Sequence, residues 1–253
     1  MAIIHWSAFL YLVLLLVPLI YLQRFLQREI QSVFLLITRQ PEISMALFSL
    51  LFLPGVVLHE VSHFLMAKLL GVHTGRFSII PKKLEGGRIQ LGYVETSETD
   101  FVRDALIGVA PLLTGVLFVV FVGVSRMGMD AMWSTLIKGE LSMINPIFVS
   151  MLARPDFWLW FYLVFTVSST MLPSASDRRA WLPVILVLLF LLGLILLAGV
   201  GPWLLARLGS PLKSAIDALT MVLGVTVLIH FVLLPPIYAI RKLISRMLRL
   251  QVV

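Results

Sequence analysis

The sequence predicts an all-α polytopic membrane protein, with about six transmembrane helices and a small membrane-associated β-hairpin between the second and third spans. Three observations carry this reading. First, 60% of the 253 residues are hydrophobic and only 13% are charged, with a mean hydropathy of +1.02, against about 25% charged residues in a soluble domain. Second, six apolar runs approach the ~20 residues a helix needs to cross a ~30 Å hydrocarbon layer. Third, one stretch, 74–96, breaks that pattern with β-rich runs around a reversal. The intervals between runs are too short to build a second core, so one membrane domain is expected over 1–253.

The first run, Ile4–Leu22, lacks a basic leading segment and is followed by QRFLQRE instead of a small-residue cleavage site, so it reads as a retained span. QRFLQREIQSVFLLITRQPE then mixes polar and apolar residues, which suggests an interfacial amphipathic helix. Met45–Val72 is the second span. RFSII and RIQLGYV, separated by PKKLEGG, form the expected hairpin, because Pro and paired Gly favour a reversal between β-rich runs. Phe101–Val124 is the third span and Phe157–Leu172 the fourth, with a second interfacial stretch from Arg126 to Pro155. Leu182–Leu205 and Ala215–Ile240 complete the six.

An even number of spans places both termini on one face. The hairpin loop (Arg76, Lys82, Lys83, Arg88, Arg103), Arg178, Arg179 and the tail (Arg241, Lys242, Arg246, Arg249) carry more positive charge than the other face, which holds Arg24, Arg28, Arg39, Arg126, Lys138, Arg154, Arg207 and Lys213. The positive-inside rule then favours cytoplasmic termini, and a prokaryotic plasma membrane is the expected location. The formal net charge of +7 is spread over loops and tail, which fits flanks held near anionic lipids and not a nucleic-acid surface. There is no cysteine, so disulfides, thiolate metal sites and cysteine nucleophiles are excluded. Any metal ligand must be His, Asp or Glu.

Residues 59–63 read HEVSH, inside the second span. Positions i and i+4 share one helix face, so His59 and His63 can bind one Zn²⁺ while Glu60 points toward its open coordination position as general base. A polar knot between helices is the plainer alternative. Inserting a charged residue at a helix centre costs about 2.5–3.5 kcal/mol, however, and a bound metal would offset that cost. His73 lies ten residues beyond His63 on another face, and Glu85 sits in the hairpin turn. His230 and Asp217 are intramembrane ionisable positions that suit structural pairing or a cavity wall.

The segment PGVVLHEVSHFLMAKLLGV resembles the active-site helix of the site-2 protease family, intramembrane zinc metalloproteases, down to Ala67, Gly71 and Val72. RFSII and RIQLGYV resemble the family's hairpin region, and LIGVAPLLTG its third core helix. In that helix Ala110 precedes Pro111 where the family has Gly, and Thr114 stands where Asn is common. SSTMLPSASDRR is the counterpart of the family's LDG motif, with Ser176 for Leu, Arg178 for Gly, and Ser168 or Ser169 near the place of an Asn. The resemblance covers Pro54 to Asp177. It implies Asp177 as third zinc ligand, a catalytic core over about 45–182, and extra spans at 1–22, 182–205 and 215–240.

The implied activity is hydrolysis of peptide bonds in or near the transmembrane segment of a membrane-protein substrate, with one Zn²⁺ per chain and no covalent intermediate. The site would lie toward the cytoplasmic leaflet, since nine residues from His63 to Val72 span about 13 Å of helix. Phe157–Leu172 gives only about 24 Å of helix before Pro173, so the PSASD segment begins within the membrane beside a cavity. By the same resemblance, an unwound substrate adds to the hairpin as a strand, which makes Arg76, Phe77, Ser78, Gln90, Gly92 and Tyr93 candidate substrate-binding residues. No loop is long enough for a PDZ or CBS domain, which leaves gating to the spans, the hairpin or a separate membrane partner. A membrane zinc hydrolase of a non-peptide substrate, or a non-catalytic scaffold, would keep the same ligands.

Overall fold

The computed structural model describes residues 6–83 and 89–250. Eight helices follow in order: α1 (Trp6–Thr38), α2 (Pro41–Leu69), α3 (Phe101–Val122), α4 (Met129–Lys138), α5 (Leu141–Leu152), α6 (Phe157–Thr170), α7 (Trp181–Leu197) and α8 (Gly201–Leu248). Four short strands lie between α2 and α3: β1 (Thr74–Ser78), β2 (Lys82–Lys83), β3 (Ile89–Gln90) and β4 (Tyr93–Thr96). Among the described residues, α1, α2, α3 with its extension, and α8 are long and apolar enough to cross a membrane. α5 and α6 would make a fifth span bent by 100°, and α7 is a shorter apolar helix of 17 residues. The protein is a helical polytopic membrane protein, with large apolar side chains such as Leu117, Leu186 and Phe190 exposed on its outer surface where lipid would lie.

α2 is the central helix. Arg39, at φ 55°, reverses the chain tightly out of α1, and Pro41 opens α2 where a missing N–H has no cost. At its far end Gly71, at φ +70°, lets the Val72 N–H reach back to the Ala67 carbonyl at 2.8 Å and directs the chain into β1. α6 runs parallel to α2. The Tyr162 hydroxyl donates to the Leu51 carbonyl at 2.9 Å, and the Phe52 and Phe165 rings lie 5.5 Å apart. At Gly55 the helices touch so closely that a Cβ would stand 2.3 Å from the Thr166 carbonyl oxygen. This small-residue contact is the usual means of close helix packing in lipid, where no hydrophobic force draws helices together.

α3 runs antiparallel to both. Asp100 caps it, accepting from the backbone N–H groups of Arg103 at 3.0 Å and Val102 at 3.1 Å, and the Arg103 N–H leads in holding this carboxyl below the usual carboxylate range. The Ser62 and Thr114 hydroxyls are hydrogen-bonded between α2 and α3. Thr114 therefore serves as a helix tie. Beyond Val122 a π-helical turn, Gly123–Met127, leads to Gly128 at φ +74°, and the Arg154 guanidinium donates to the Arg126 carbonyl at 2.8 Å. The expected interfacial stretch 126–155 is thus the α4–α5 pair.

The hairpin forms as expected in its arms. β1 pairs antiparallel with β4 (Phe77 opposite Val94, Ser78 opposite Tyr93), and β2 with β3. Its tip, with Glu85, Gly86 and Arg88, lies outside the described residues.

Three expectations are corrected. The segment expected as an interfacial helix after Leu22 continues α1 without a break, because Gln23, Gln27 and Glu29 find partners inside the bundle, described below. The polar stretch 206–214 does not separate two spans: the break falls earlier, at Gly199 (φ +74°), and α8 then runs 48 residues, about 72 Å. Finally, α1 and α8 pack side by side in the same direction, with Leu15 nearest Gly224 and Glu29 paired with Arg241. Both termini on one face would need the first and last spans antiparallel. The observed course instead directs Trp6 and Leu248 to opposite ends of the bundle. The tail residues Lys242, Arg246 and Arg249 then fall opposite the hairpin, the positive charges divide nearly evenly, and charge no longer selects an orientation.

Candidate metal centre

The i, i+4 spacing on α2 stacks the two imidazoles edge to face, with ring centroids 4.8 Å apart and Nε2 atoms 3.2 Å apart. His63 is buried, and its Nδ1 lies 2.8 Å from the Ile107 carbonyl on α3. An N–H donated there leaves the Nε2 lone pair facing the site, the arrangement that orients metal-binding histidines. The His59 Nδ1 is buried without a hydrogen-bond partner among the described residues.

Asp177 arrives from the segment between α6 and α7. Its Oδ1 is 3.5 Å from the His63 Nε2 and its Oδ2 is 3.8 Å from the His59 Nε2. Local structure explains how it gets there. α6 stops before Pro173, and the Ser174 N–H donates to the Asp177 Oδ2 at 2.7 Å, closing a tight turn that presents the carboxylate. Gly108 on α3 admits this turn, since a Cβ there would stand 2.0 Å from the Asp177 carbonyl oxygen. Two residues on, the Arg179 guanidinium donates to both Asp104 oxygens, at 2.7 and 3.0 Å, and pins the turn to α3.

One ligand atom from each of His59, His63 and Asp177 falls within 4.8 Å of the others. Zinc bound at ~2.0–2.1 Å in a tetrahedral site needs ligand atoms about 3.3 Å apart, close to the 3.2 and 3.5 Å separations of His63 Nε2 from its two neighbours. The nitrogen and oxygen donor set suits zinc without thiolate. These residues fit a metal.

Glu60 is buried, at 7% exposure, on the wall of the same cavity of about 790 Å³. Gln90, Gly92 and Tyr93 line it too, whereas Arg76, Phe77 and Ser78 do not. Arg76 is exposed, with its backbone N–H on the Glu95 carboxylate at 3.2 Å; Phe77 packs edge-on against Phe64; and the Ser78 hydroxyl accepts from the Ile80 N–H. β1 is the outer strand and β4 the inner, which is why the hairpin's second arm faces the site and its first does not. His73 is exposed, Asp217 pairs with Lys213 at 2.6 Å, and Glu85 lies outside the described residues. His230 is fully buried against Ser169 and Thr226, as structural pairing anticipates.

Sequence reasoning missed Gln23 and Gln27, which border the cavity from α1. Their signal was available: two amides at i, i+4 in an otherwise apolar helix mark one polar face. Asp104 and Arg179 were also missed, because their pairing joins residues 75 positions apart. Compared with known proteins, the chain matches no family model, no curated protein and no solved structure.

Proposed function

We propose that the chain is a zinc-dependent intramembrane endopeptidase of the site-2 type, cutting a membrane-protein substrate in or near its transmembrane helix. The observation that carries this is the convergence of His59, His63 and Asp177 on one point beside the buried Glu60, in a cavity reached from helices that would lie in the bilayer. His59, His63 and Asp177 would hold one Zn²⁺ per chain. Zinc, when bound, lowers the pKa of a water and polarises a scissile carbonyl.

The chain's own residues supply the rest. Glu60 takes the proton of the attacking water on its carboxylate and returns it to the leaving amine nitrogen. β4 is paired along one edge by β1, and its residues Tyr93, Val94 and Thr96 border the cavity, so an unwound substrate can add beside it as a strand. A helical substrate hides its peptide bonds in its own hydrogen bonds and must open first, which Gly, Pro or Asn in the substrate makes easier.

The test is cleavage of single-span peptides by purified full-length protein in liposomes. Cleavage near the membrane segment, stopped by a zinc chelator and indifferent to serine-directed inhibitors, is the expected result. A metal-loaded protein that cuts no spanning peptide across a broad panel would move the assignment to a non-peptide hydrolase or a scaffold.

A further inference from the structure

Ser169, near the end of α6, joins three helices of the bundle, α1, α6 and α8. In a continuing helix its carbonyl would accept from the N–H of residue 173, but that residue is Pro173 and has none. The freed carbonyl instead accepts from the side-chain amides of Gln23 and, at 3.2 Å, Gln27 on α1. The Ser169 hydroxyl lies 2.9 Å from the His230 Nε2 on α8, and the other ring nitrogen of His230 is 2.7 Å from the Thr226 carbonyl. Ser169, Thr226 and His230 are fully or almost fully buried. The Ser169 hydroxyl and the His230 ring are thus paired away from water, while the half-buried amides of Gln23 and Gln27 hold the freed carbonyl at the cavity wall.

This junction fixes the last turn of α6, and just beyond it Met171 packs against Gly115 of α3 before the turn that carries Asp177. From Ser169 the chain loses its helix within a few residues and reaches Asp177 after eight positions. Downstream the turn's backbone is held against α3, by Gly108 and by Asp104 with Arg179, while the Asp177 carboxylate faces the imidazoles of α2. Upstream, α1 and α8 hold it through Ser169.

We infer that Gln23, Gln27 and His230 are positioning residues for the third metal ligand, so that α1 and α8, which contribute no ligand, set the geometry of the centre. The inference rests on the metal reading of His59, His63 and Asp177. The substitution that isolates it is the double variant Gln23→Met/Gln27→Met, which keeps side-chain length and removes both donors.

Co²⁺ serves as the probe, because its visible absorption reports ligand number and symmetry independently of activity. In full-length protein the double variant is expected to bind Co²⁺ about tenfold more weakly, the lower end for loss of an outer-shell partner. Its absorption band should shift or weaken, and kcat should fall more than KM rises. His230→Phe should act in the same direction. If the double variant does not fold, Gln27→Met alone carries the test by the same readouts. Wild-type Co²⁺ affinity and spectrum in a variant whose Tm has dropped would overturn the inference, since the amides would then only brace the bundle. A wild-type protein whose Co²⁺ binding is indifferent to His59→Ala and His63→Ala would instead remove the metal reading beneath it.

Discussion

Gly92 lies directly against Glu60: a Cβ at position 92 would stand 2.8 Å from the Glu60 Cγ and 3.0 Å from its Oε1. The strand segment and the proposed base are thus in contact, and the absence of a side chain on one sets the position of the other. Gly92→Ala should displace the Glu60 carboxylate and lower kcat by about 10- to 100-fold, the scale of loss when a catalytic group moves by about 1 Å. Zinc content should stay at the wild-type value. Kinetics paired with metal analysis checks this, and an unchanged kcat would mean the contact is slack.

Glu60→Gln separates proton transfer from metal binding. The amide keeps the shape but not the base, so the rate should fall by ~10²- to 10⁴-fold while metal content and Tm hold. Cleavage at the wild-type rate, still blocked by a chelator, would remove Glu60 from the mechanism.

The ligand set predicts about one zinc per purified chain. His59→Ala and His63→Ala should each lose most of it, and Asp177→Ala should weaken binding, as measured by competition with a chelating dye. Unchanged affinity in Asp177→Ala would show that the SASDRR turn does not supply the third ligand.

Gly108→Ala forces a methyl group against the Asp177 backbone. The turn must shift, so this variant should bind zinc more weakly than wild type and lose about 1–3 kcal/mol of stability through overpacking. Thermal unfolding with and without metal separates the two effects.

The parallel course of α1 and α8 predicts that a reporter fused after Val253 and one inserted near Gly86 fall on opposite sides of the membrane. Paired compartment-specific reporters test this. Matching signals from both would restore the six-span arrangement with its termini on one face.

What the sequence made legible was local. HEVSH placed both imidazoles on one helix face because that relation needs only the 3.6-residue period. The hairpin arms followed from β-rich runs around PKKLEGG. Hydropathy gave α2 and α3 nearly to their ends. Long-range relations stayed hidden. QRFLQRE looked like a surface helix because Gln23, Gln27 and Glu29 are satisfied from α6 and α8, well over a hundred residues away. RLGSPLKS looked like a loop, yet α8 passes through Pro211. Arg76, Phe77 and Ser78 were grouped with Gln90, Gly92 and Tyr93 because a hairpin pattern does not say which arm lines the cavity.

The pairing of Glu29 with Arg241 ties together residues 212 positions apart in the chain. Glu29 is 5% exposed, so it depends on that guanidinium for its charge to be compensated. At a synthesis rate of 5–20 residues per second, about 10–40 s separate the emergence of the two. During that interval the Glu29 side chain has no Arg241 to meet, so this contact between α1 and α8 forms only after α8 is made. The pairing of α1 with α8 is therefore made late in synthesis, after the helices between them.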